Sequence, residues 1–416
     1  MVVTCPSIIA GKGLKLAISD GYKNAYSAII DGQVTTMLTG IVLYMFGSGP
    51  IKGFATTLII GILTSMFTAI FITRLIFERR LTKNLPITFT SKATAEWLRH
   101  TAVKFLGKRK IFYIISGSLI ALSILSISIR GFNLGIDFKG GRTYVVSFDK
   151  DVKVSDVGTA LAKVYGEAPE VKTFGTSNVV KITTEYKIDE SSEEIDNEVE
   201  SLMFTGLKDA GFIGNINFDD FISNHRLSSE KVGPTISNDI KKDAAIAILF
   251  SLIIIFLYIL IRFRNWQYGL GAIAALAHDT IIVLGTFSLL HGILPFSLEI
   301  DQAFIAAILT VIGYSINDTV IVFDRIREYM HLYPKRTNEE NMDNAMNSTL
   351  RRTFSTSLST LVVLLAIFLF GGTSIQGFTF ALLIGIGIGT YSSVFVATPV
   401  VFDTKKSVAK VVAKKK

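Results

Sequence analysis

Long apolar runs constrain this chain more than any other feature. A helix needs roughly 20 apolar residues to cross a bilayer. Ile51–Phe77, Ile111–Ile129, Ala244–Ile261, Tyr268–Leu290, Ala303–Phe323 and Phe378–Phe402 are runs of that order. Val34–Phe46 and Leu358–Phe370 are shorter and are preceded by Thr and Ser. Each leads into a Gly-rich break and another span, so both are read as crossing too. Half of the 416 residues are hydrophobic and only 18% are charged, against about a quarter charged in globular chains. The expected fold class is a polytopic α-helical membrane protein with about eight transmembrane helices, a form that satisfies every backbone polar group inside lipid. Met1–Ala10 lacks a basic start, so no cleavable signal is expected. Cys5 is the single cysteine, and the five histidines (His100, His225, His278, His291, His331) lack close ligand spacing. Neither an intrachain disulfide nor a metal or other cofactor is expected.

The distribution of charge sets the topology. Of 42 basic and 34 acidic residues, residues 131–240 hold 11 and 19, leaving 31 basic against 15 acidic elsewhere. The basic residues gather in Glu78–Lys110, at Arg262 and Arg264, in Asp324–Arg352 and in the tail ending Lys414–Lys416. The loops His291–Gln302 and Gly371–Gly377 contain no Lys or Arg. Loops that alternate in this way follow the positive-inside rule. Residues 131–240 are therefore expected outside the cytoplasm, with the loop 324–352 and the C-terminus inside. This distribution argues for a lipid bilayer and against nucleic acid as the partner of the net charge of +8. The expected organisation is a cytoplasmic loop and helix start (1–33), two spans (34–77), a cytoplasmic linker (78–110), one span (111–129), the outer domain (131–240), five spans (244–402) and a basic tail (403–416).

The outer segment reads as a small α+β domain. Thr143–Phe148 and Asn178–Tyr186 carry strand-forming residues in partial alternation. Val154–Tyr165 and Glu193–Leu207 have helical spacing, with Ser192 placed to cap the second. The predicted order is strand, helix, two strands, helix and a last strand near Ile216–Ile222. The acidic run Glu185–Glu200 reads as a solvated helix face. No nucleophile–base pair or phosphate loop stands out, so no catalytic residue is assigned and the chain is not read as an enzyme.

An internal repeat lies beneath the spans. A shift of 324 positions aligns Phe46-Gly47 with Phe370-Gly371, Ile51 with Ile375 and Gly53-Phe54 with Gly377-Phe378. It also aligns Leu58, Ile60-Gly61-Ile62 and Phe71 with Leu382, Ile384-Gly385-Ile386 and Phe395. The copies share one orientation, as parallel repeats do. The second belongs to a set of six spans from Ile111 to Phe402, whereas the first supplies only two. The chain is therefore expected to begin inside its first repeat.

Polar residues inside the spans mark the candidate site. A charge at a span centre costs about 2.5–3.5 kcal/mol on insertion scales and is a functional hypothesis by default. Thr310, Gly313, Tyr314, Asn317 and Asp318 recur at three- and four-residue spacing, which puts them on one helix face. His278 and Asp279 fall at the middle of another span. The nearest basic partner is Arg352, followed by Thr353, Ser355, Thr356 and Ser357. An Asp–Arg pair that opens and closes takes up and releases a proton, because burial and the cation act oppositely on the carboxyl. A static ion pair that fixes helix register is the alternative for Asp318, as a hydrogen bond to a neighbouring helix is for His278–Asp279.

Further motifs are Leu134-Gly-Ile-Asp-Phe-Lys-Gly-Gly141 (with Gly135, Asp137, Gly140 and Gly141), Val232-Gly-Pro-Thr-Ile236 (with Gly233 and Pro234), His278-Asp279, Gly313-Tyr-Ser-Ile-Asn-Asp-Thr319 and Val322-Phe-Asp-Arg-Ile-Arg-Glu328. Together they resemble the SecF family. The resemblance covers about Lys108 to Asp403. Gly11–Phe77, with Gly21-Tyr-Lys-Asn-Ala25 and Asp31-Gly-Gln-Val-Thr-Thr36, is similar to the end of SecD. The whole resembles the carboxyl-terminal part of a fused SecDF protein, of the RND superfamily. SecD's large outer domain, its first four spans and its Asp-Ala-Asn-type motif have no counterpart here, and Met1–Ile9 departs from the stretch that normally precedes Gly11.

The resemblance implies a Sec translocase accessory in the bacterial cytoplasmic membrane that uses the proton gradient to assist polypeptide export. Its proton-coupling residues map onto Asp318, Arg352 and, in the SecD part, Asp31, with Asn317, Tyr314, Thr319, His278 and Asp279 as supporting polar residues. Under the repeat offset Asp31 meets Ser355 and Ala28 meets Arg352. The implied partners are the SecYEG translocon, a SecD-like chain, YajC, a YidC-type insertase and the translocating preprotein. The alternative function is a non-transporting scaffold that binds the translocon or a separate SecD chain. A small-molecule exporter is disfavoured, because a domain of about 110 residues leaves little room for a ligand funnel.

Overall fold

The chain alternates between long apolar helices and short connections, and the computed structural model describes residues 13–47, 49–83, 85, 87, 101–190 and 192–405. Cys5, His100, Met1–Ala10 and the tail from 406 to 416, each the subject of an expectation above, lie outside the described residues. Eight helices have the length and composition to span a bilayer. They are α1 (Leu14–Phe46), α2 (Gly49–Phe67, continued through Thr68–Ile72 and Thr73–Thr82), α3 (Arg109–Arg130), α8 (Pro234–Phe263), α9 (Trp266–Leu290), α10 (Gln302–Leu332), α11 (Asn338–Phe370) and α12 (Gln376–Ser392, with the span running on to Lys405). The short runs Val34–Phe46 and Leu358–Phe370 are the apolar ends of two 33-residue helices, α1 and α11, whose first halves are polar. Helix α8 starts at Pro234, a residue suited to a first turn because its missing N–H has no helical partner there. The segment 131–240 thus ends on a spanning helix.

Between α3 and α8 lie α4 (Ile136–Lys139), β1 (Gly141–Ser147), α5 (Val154–Tyr165), β2 (Glu170–Phe174), β3 (Thr176–Thr184), α6 (Glu193–Asp209), α7 (Phe218–Asp220) and β4 (Arg226–Val232). The strands form one antiparallel sheet in the order β2-β3-β1-β4, with Tyr144 opposite Ile182 and Ser229. Tyr144, Val146, Val180 and Ile182 meet Leu161, Val199, Met203 and Leu207 of α5 and α6 in a closed apolar core. Ser192 accepts from the Ile195 N–H at 3.3 Å, so the predicted cap is present. The last strand is corrected from Ile216–Ile222 to Arg226–Val232. The Asn217 side chain accepts from the Asp220 N–H, which turns that stretch into α7. Phe221 is then buried in the core and the chain returns beside β1 only at Arg226.

The repeat appears in three dimensions. Helices α1 and α11 are offset by 324 residues at both ends. A side chain at Gly47 would strike the Leu43 carbonyl and Ile51, and one at Gly371 would strike the equivalent Ile367 carbonyl and Ile375. Wide π-type turns interrupt the following spans at Thr68–Ile72 and Ser393–Ala397, within one residue of equivalence. Phe54 and Phe378 are equivalent, and their rings touch each other edge to face at 5.5 Å. The two repeat copies thus meet each other at equivalent residues.

Candidate functional site

Helix α10 is the most enclosed of the eight spans, and three of its faces meet different neighbours. Towards α1 the contact is backbone-close. A Cβ on Gly32 would lie 2.0 Å from Asn317 Oδ1, and one on Gly313 would lie 2.3 Å from Thr39 Oγ1. Thr36 Oγ1 donates to the Gly313 carbonyl at 3.1 Å. Towards α12, Val311 sits against Gly385, Ser315 against Gly389, and Thr319 Oγ1 donates to Ser393 Oγ at 3.1 Å. Small residues at four-residue steps allow such approach where lipid supplies no hydrophobic drive between helices.

The third face carries Asp318, which is 3% exposed. Its Oδ2 accepts from Ser357 Oγ of α11 at 3.3 Å, and Ser357 Oγ accepts from Thr390 Oγ1 of α12 at 2.7 Å. One turn earlier, Tyr314 OH and Thr360 Oγ1 share a bond of 3.1 Å. Arg352 lies within electrostatic reach of Asp318, but among the described residues no ion pair of 4.0 Å or less joins them. Asp318 thus meets the Ser357 hydroxyl, itself reached by Thr390, in place of a direct guanidinium contact. Of the predicted face, Tyr314 and Asp318 look towards α11, Gly313 and Asn317 towards α1, and Thr310 bonds back to its own helix at Ala306. Thr319 belongs to the α12 side.

Asp31, the remaining mapped charge, is buried on α1 and already partnered. Arg262 Nε of α8 donates to both its oxygens at 2.9 Å, and Tyr258 OH donates to Oδ1 at 3.0 Å. Arg262 also lies 3.5 Å from Asp324 of α10, which Arg327 holds at 2.7 Å. Sequence reading placed Arg262 only among the basic loop residues. Its partner is 231 positions away, and no local spacing signals such a pair.

His278 and Asp279 of α9 sit deep in the bundle, 2% and 1% exposed. Asp279 Oδ1 lies 2.9 Å from His278 Nδ1, while its Oδ2 accepts from Ser315 Oγ of α10 at 2.7 Å and from Ser392 Oγ of α12 at 2.8 Å. The His278 ring stacks on Tyr391, whose hydroxyl bonds to Ser116 of α3 at 3.1 Å.

The glycine-rich motif builds the joint between the β-sheet domain and these helices. Gly135 N–H donates to the Ile300 carbonyl at 2.9 Å, and Ile300 N–H donates to the Asn133 carbonyl at 2.8 Å. Asp137 accepts from the backbone N–H and side chain of Gln302, the first residue of α10, while Asp301 accepts from Phe304 N–H. Two carboxylates thus cap one helix start, where donors and dipole favour anions. Gly140 and Gly141 have φ of +81° and +143°, which L side chains adopt only with strain. The turn they make delivers β1 next to Val232, so Gly233 and Pro234 begin α8 beside it. Lys172 and Lys181 of the sheet reach Glu299 at 3.2 and 2.6 Å. Burial alone would raise the Glu299 carboxyl, but the two lysines hold it down to about 2. Burial pushes Asp301 up to about 6, against its bond from Phe304 and with the help of the nearby Asp137 and Glu299 charges.

Comparison with known proteins agrees with this architecture. The C-terminal model of the protein export membrane proteins SecD/SecF matches residues 12–82 and 215–407, and the SecD/SecF GG motif matches 125–152. The protein translocase subunit SecF of Rhodothermus marinus is 45% identical over 73% of this chain and 94% of its own length. The subunit SecDF of Thermus thermophilus is 33% identical over 95% of this chain and 50% of its own. The crystal structure of SecDF from Thermus thermophilus, described as a translocon-associated membrane protein, superposes with a TM-score of 0.82 at 30% identity, over 97% of this chain and 52% of that one. The chain thus spans nearly the whole of a SecF and about half of a fused SecDF. With family motifs, spans and fold all in agreement, the chain belongs to the SecD/SecF family of protein export membrane proteins.

Proposed function

We propose that this chain is an accessory subunit of the Sec protein translocase and uses the proton gradient to assist polypeptide export. Asp318 carries the reading. It is a carboxylate buried in the central helix of the bundle, reached by the Thr390–Ser357 hydroxyl pair and near Arg352 without a tight ion pair. A buried carboxylate that lacks a locked cation changes charge at low cost when the cation moves. Protonation of Asp318 releases its hold on Arg352 and on the α11 hydroxyls, and deprotonation restores it. Asp31, already bound by Arg262 and Tyr258, acts as the fixed counterpart that holds α1 to α8.

The outer domain is joined to the start of the same α10 through Asp137, Glu299 and the Gly135–Ile300 bridge. A change at Asp318 and a movement of the domain therefore share one rod. Residues 131–240 lie outside and the basic loops inside, following the positive-inside distribution. The partners are the SecYEG translocon, a SecD-like chain that completes the first repeat, and the preprotein, with YajC and a YidC-type insertase as further candidates. Export of a secretory protein into inverted membrane vesicles, with and without an imposed proton gradient, tests the reading. Asp318→Asn and Arg352→Met are expected to lose the gradient-dependent part while membrane insertion is retained. Unchanged gradient dependence, with translocon co-purification intact, would instead support a non-transporting scaffold.

A further inference from the structure

The buried His278–Asp279 pair has no part in the reading above, yet it contacts both helices that build the Asp318 site. Ser315 lies three residues before Asp318 on α10, and Ser392 lies two residues after Thr390 on α12. Both donate to the same oxygen, Asp279 Oδ2, at 2.7 and 2.8 Å. A single carboxylate oxygen thereby holds the helix that bears Asp318 beside the helix that bears the first hydroxyl of its relay. Asp279 is itself held on its other oxygen by His278 Nδ1 at 2.9 Å. The imidazole lies beside Tyr391, with ring centroids 6.0 Å apart, and the Tyr391 hydroxyl is tied to Ser116 of α3. The bracket thus reaches from α3 through α9 to α10 and α12.

We infer that Asp279 is a positioning residue for Asp318, setting the spacing of α10 and α12 so that Thr390, Ser357 and Asp318 stay in hydrogen-bond line. The inference rests on the reading of Asp318 as the proton-coupling carboxylate. The α10–α12 face offers few other polar contacts at this level. Gly389 meets Ser315 with no room for a side chain, and the Thr319–Ser393 bond lies one turn further along α10. Asp279 Oδ2 is the one acceptor at this level that receives a hydroxyl from each helix, so it bridges the seam directly among the described residues. Without it, Ser315 and Ser392 turn back to their own helix carbonyls, an option already used by Ser392 towards Gly389 O at 3.2 Å, and the two helices keep only their apolar contact.

Infrared spectroscopy of the chain in its native membrane, titrated with acid, tests this. The carbonyl stretch of protonated Asp318 is identified by its disappearance in Asp318→Asn. In Asp279→Asn the Asp318 band is expected to shift or broaden, and gradient-dependent export to fall at least about tenfold, about 1.4 kcal/mol. Ser315→Ala combined with Ser392→Ala leaves the Asp279 carboxylate in place but removes its grip, and is expected to move the band in the same way. This pair also answers the question where Asp279→Asn fails to accumulate. An Asp318 band at the wild-type position in either variant would overturn the inference. Normal export in Asp318→Asn would overturn the underlying reading instead, and the band comparison between variants would still decide whether Asp279 positions Asp318.

Discussion

Two buried carboxylates of the bundle, Asp31 on α1 and Asp318 on α10, meet guanidinium groups in different ways, the one as a strap and the other as the proposed switch. In the first copy Asp31 is gripped by Arg262 on both oxygens and by Tyr258. In the neighbourhood of the second copy, Asp318 touches a serine, and Arg352 acts on it only from a distance. Helix length, glycine break and π-type turn are shared between α1–α2 and α11–α12, but under that register Asp31 meets Ser355, so the two carboxylates stand on different helices of the bundle. On the proposed function, the carboxylate that Arg262 and Tyr258 hold is a fixed joint, and the one that only Ser357 touches is the site of changeable charge.

The largest effect is expected from removing the changeable charge. Asp318→Asn or Arg352→Met should reduce gradient-dependent export at least about tenfold, about 1.4 kcal/mol in rate terms, with stability little changed. Breaking the strap should do the reverse. Arg262→Met removes the cation bound to the buried Asp31 and is expected to destabilise the protein by about 3 kcal/mol in thermal unfolding, while adding Asp31→Asn should restore most of that. If Asp31→Asn with Arg262→Met lost gradient dependence as fully as Asp318→Asn, the distinction between strap and switch would fail.

The repeat also supplies a matched pair of glycines. A Cβ on Gly385 would lie 2.2 Å from Val311, whereas the equivalent Gly61 has nothing within 4 Å. Gly385→Ala should cost about 1–3 kcal/mol through overpacking. Gly61→Ala should be neutral or stabilise by up to about 1 kcal/mol through helix propensity. Equal effects would show that the copies pack alike.

The smallest effects concern the N-terminal end of α10, where two carboxyls have opposite pH dependence. Glu299 is depressed to about 2, below its unfolded value of about 4.3. Its contribution is complete above the unfolded value and is lost as pH falls through about 2. Asp301 is raised to about 6, so its contribution is complete below about 3.9 and is lost as pH rises through about 6. Asp301→Asn keeps an acceptor for Phe304 N–H and should stabilise the protein at pH 7, with the gain fading below pH 6. Glu299→Gln should weaken the domain joint at pH 7 and match wild type only in strong acid. Thermal unfolding across pH reads both.

The sequence makes the spans legible because length and hydropathy alone decide them. It shortens α1 and α11, whose first halves are too polar to register as apolar runs. The repeat register is also legible, through Gly-Phe pairs at one offset. The last strand is not. Ile216–Ile222 holds the apolar residues, but Arg226–Val232, with three charges and two serines, is the segment that pairs with β1, and such pairing depends on neighbours more than on propensity. At the site, an isolated carboxylate in a span marks Asp318 and Asp279 without a structure. Arg262 for Asp31, and Ser315 with Ser392 for Asp279, are partners chosen by folding, and serines within apolar helices offer no pattern to read.

Proton uptake tests the central claim most directly. Inverted vesicles bearing this chain with its translocase partners, a pH-sensitive dye and an active secretory substrate would compare wild type, Asp318→Asn and the Asp31→Asn Arg262→Met double variant. The account predicts substrate-dependent proton flux in wild type and in the double variant, and none above background in Asp318→Asn. Wild-type flux in Asp318→Asn would contradict it.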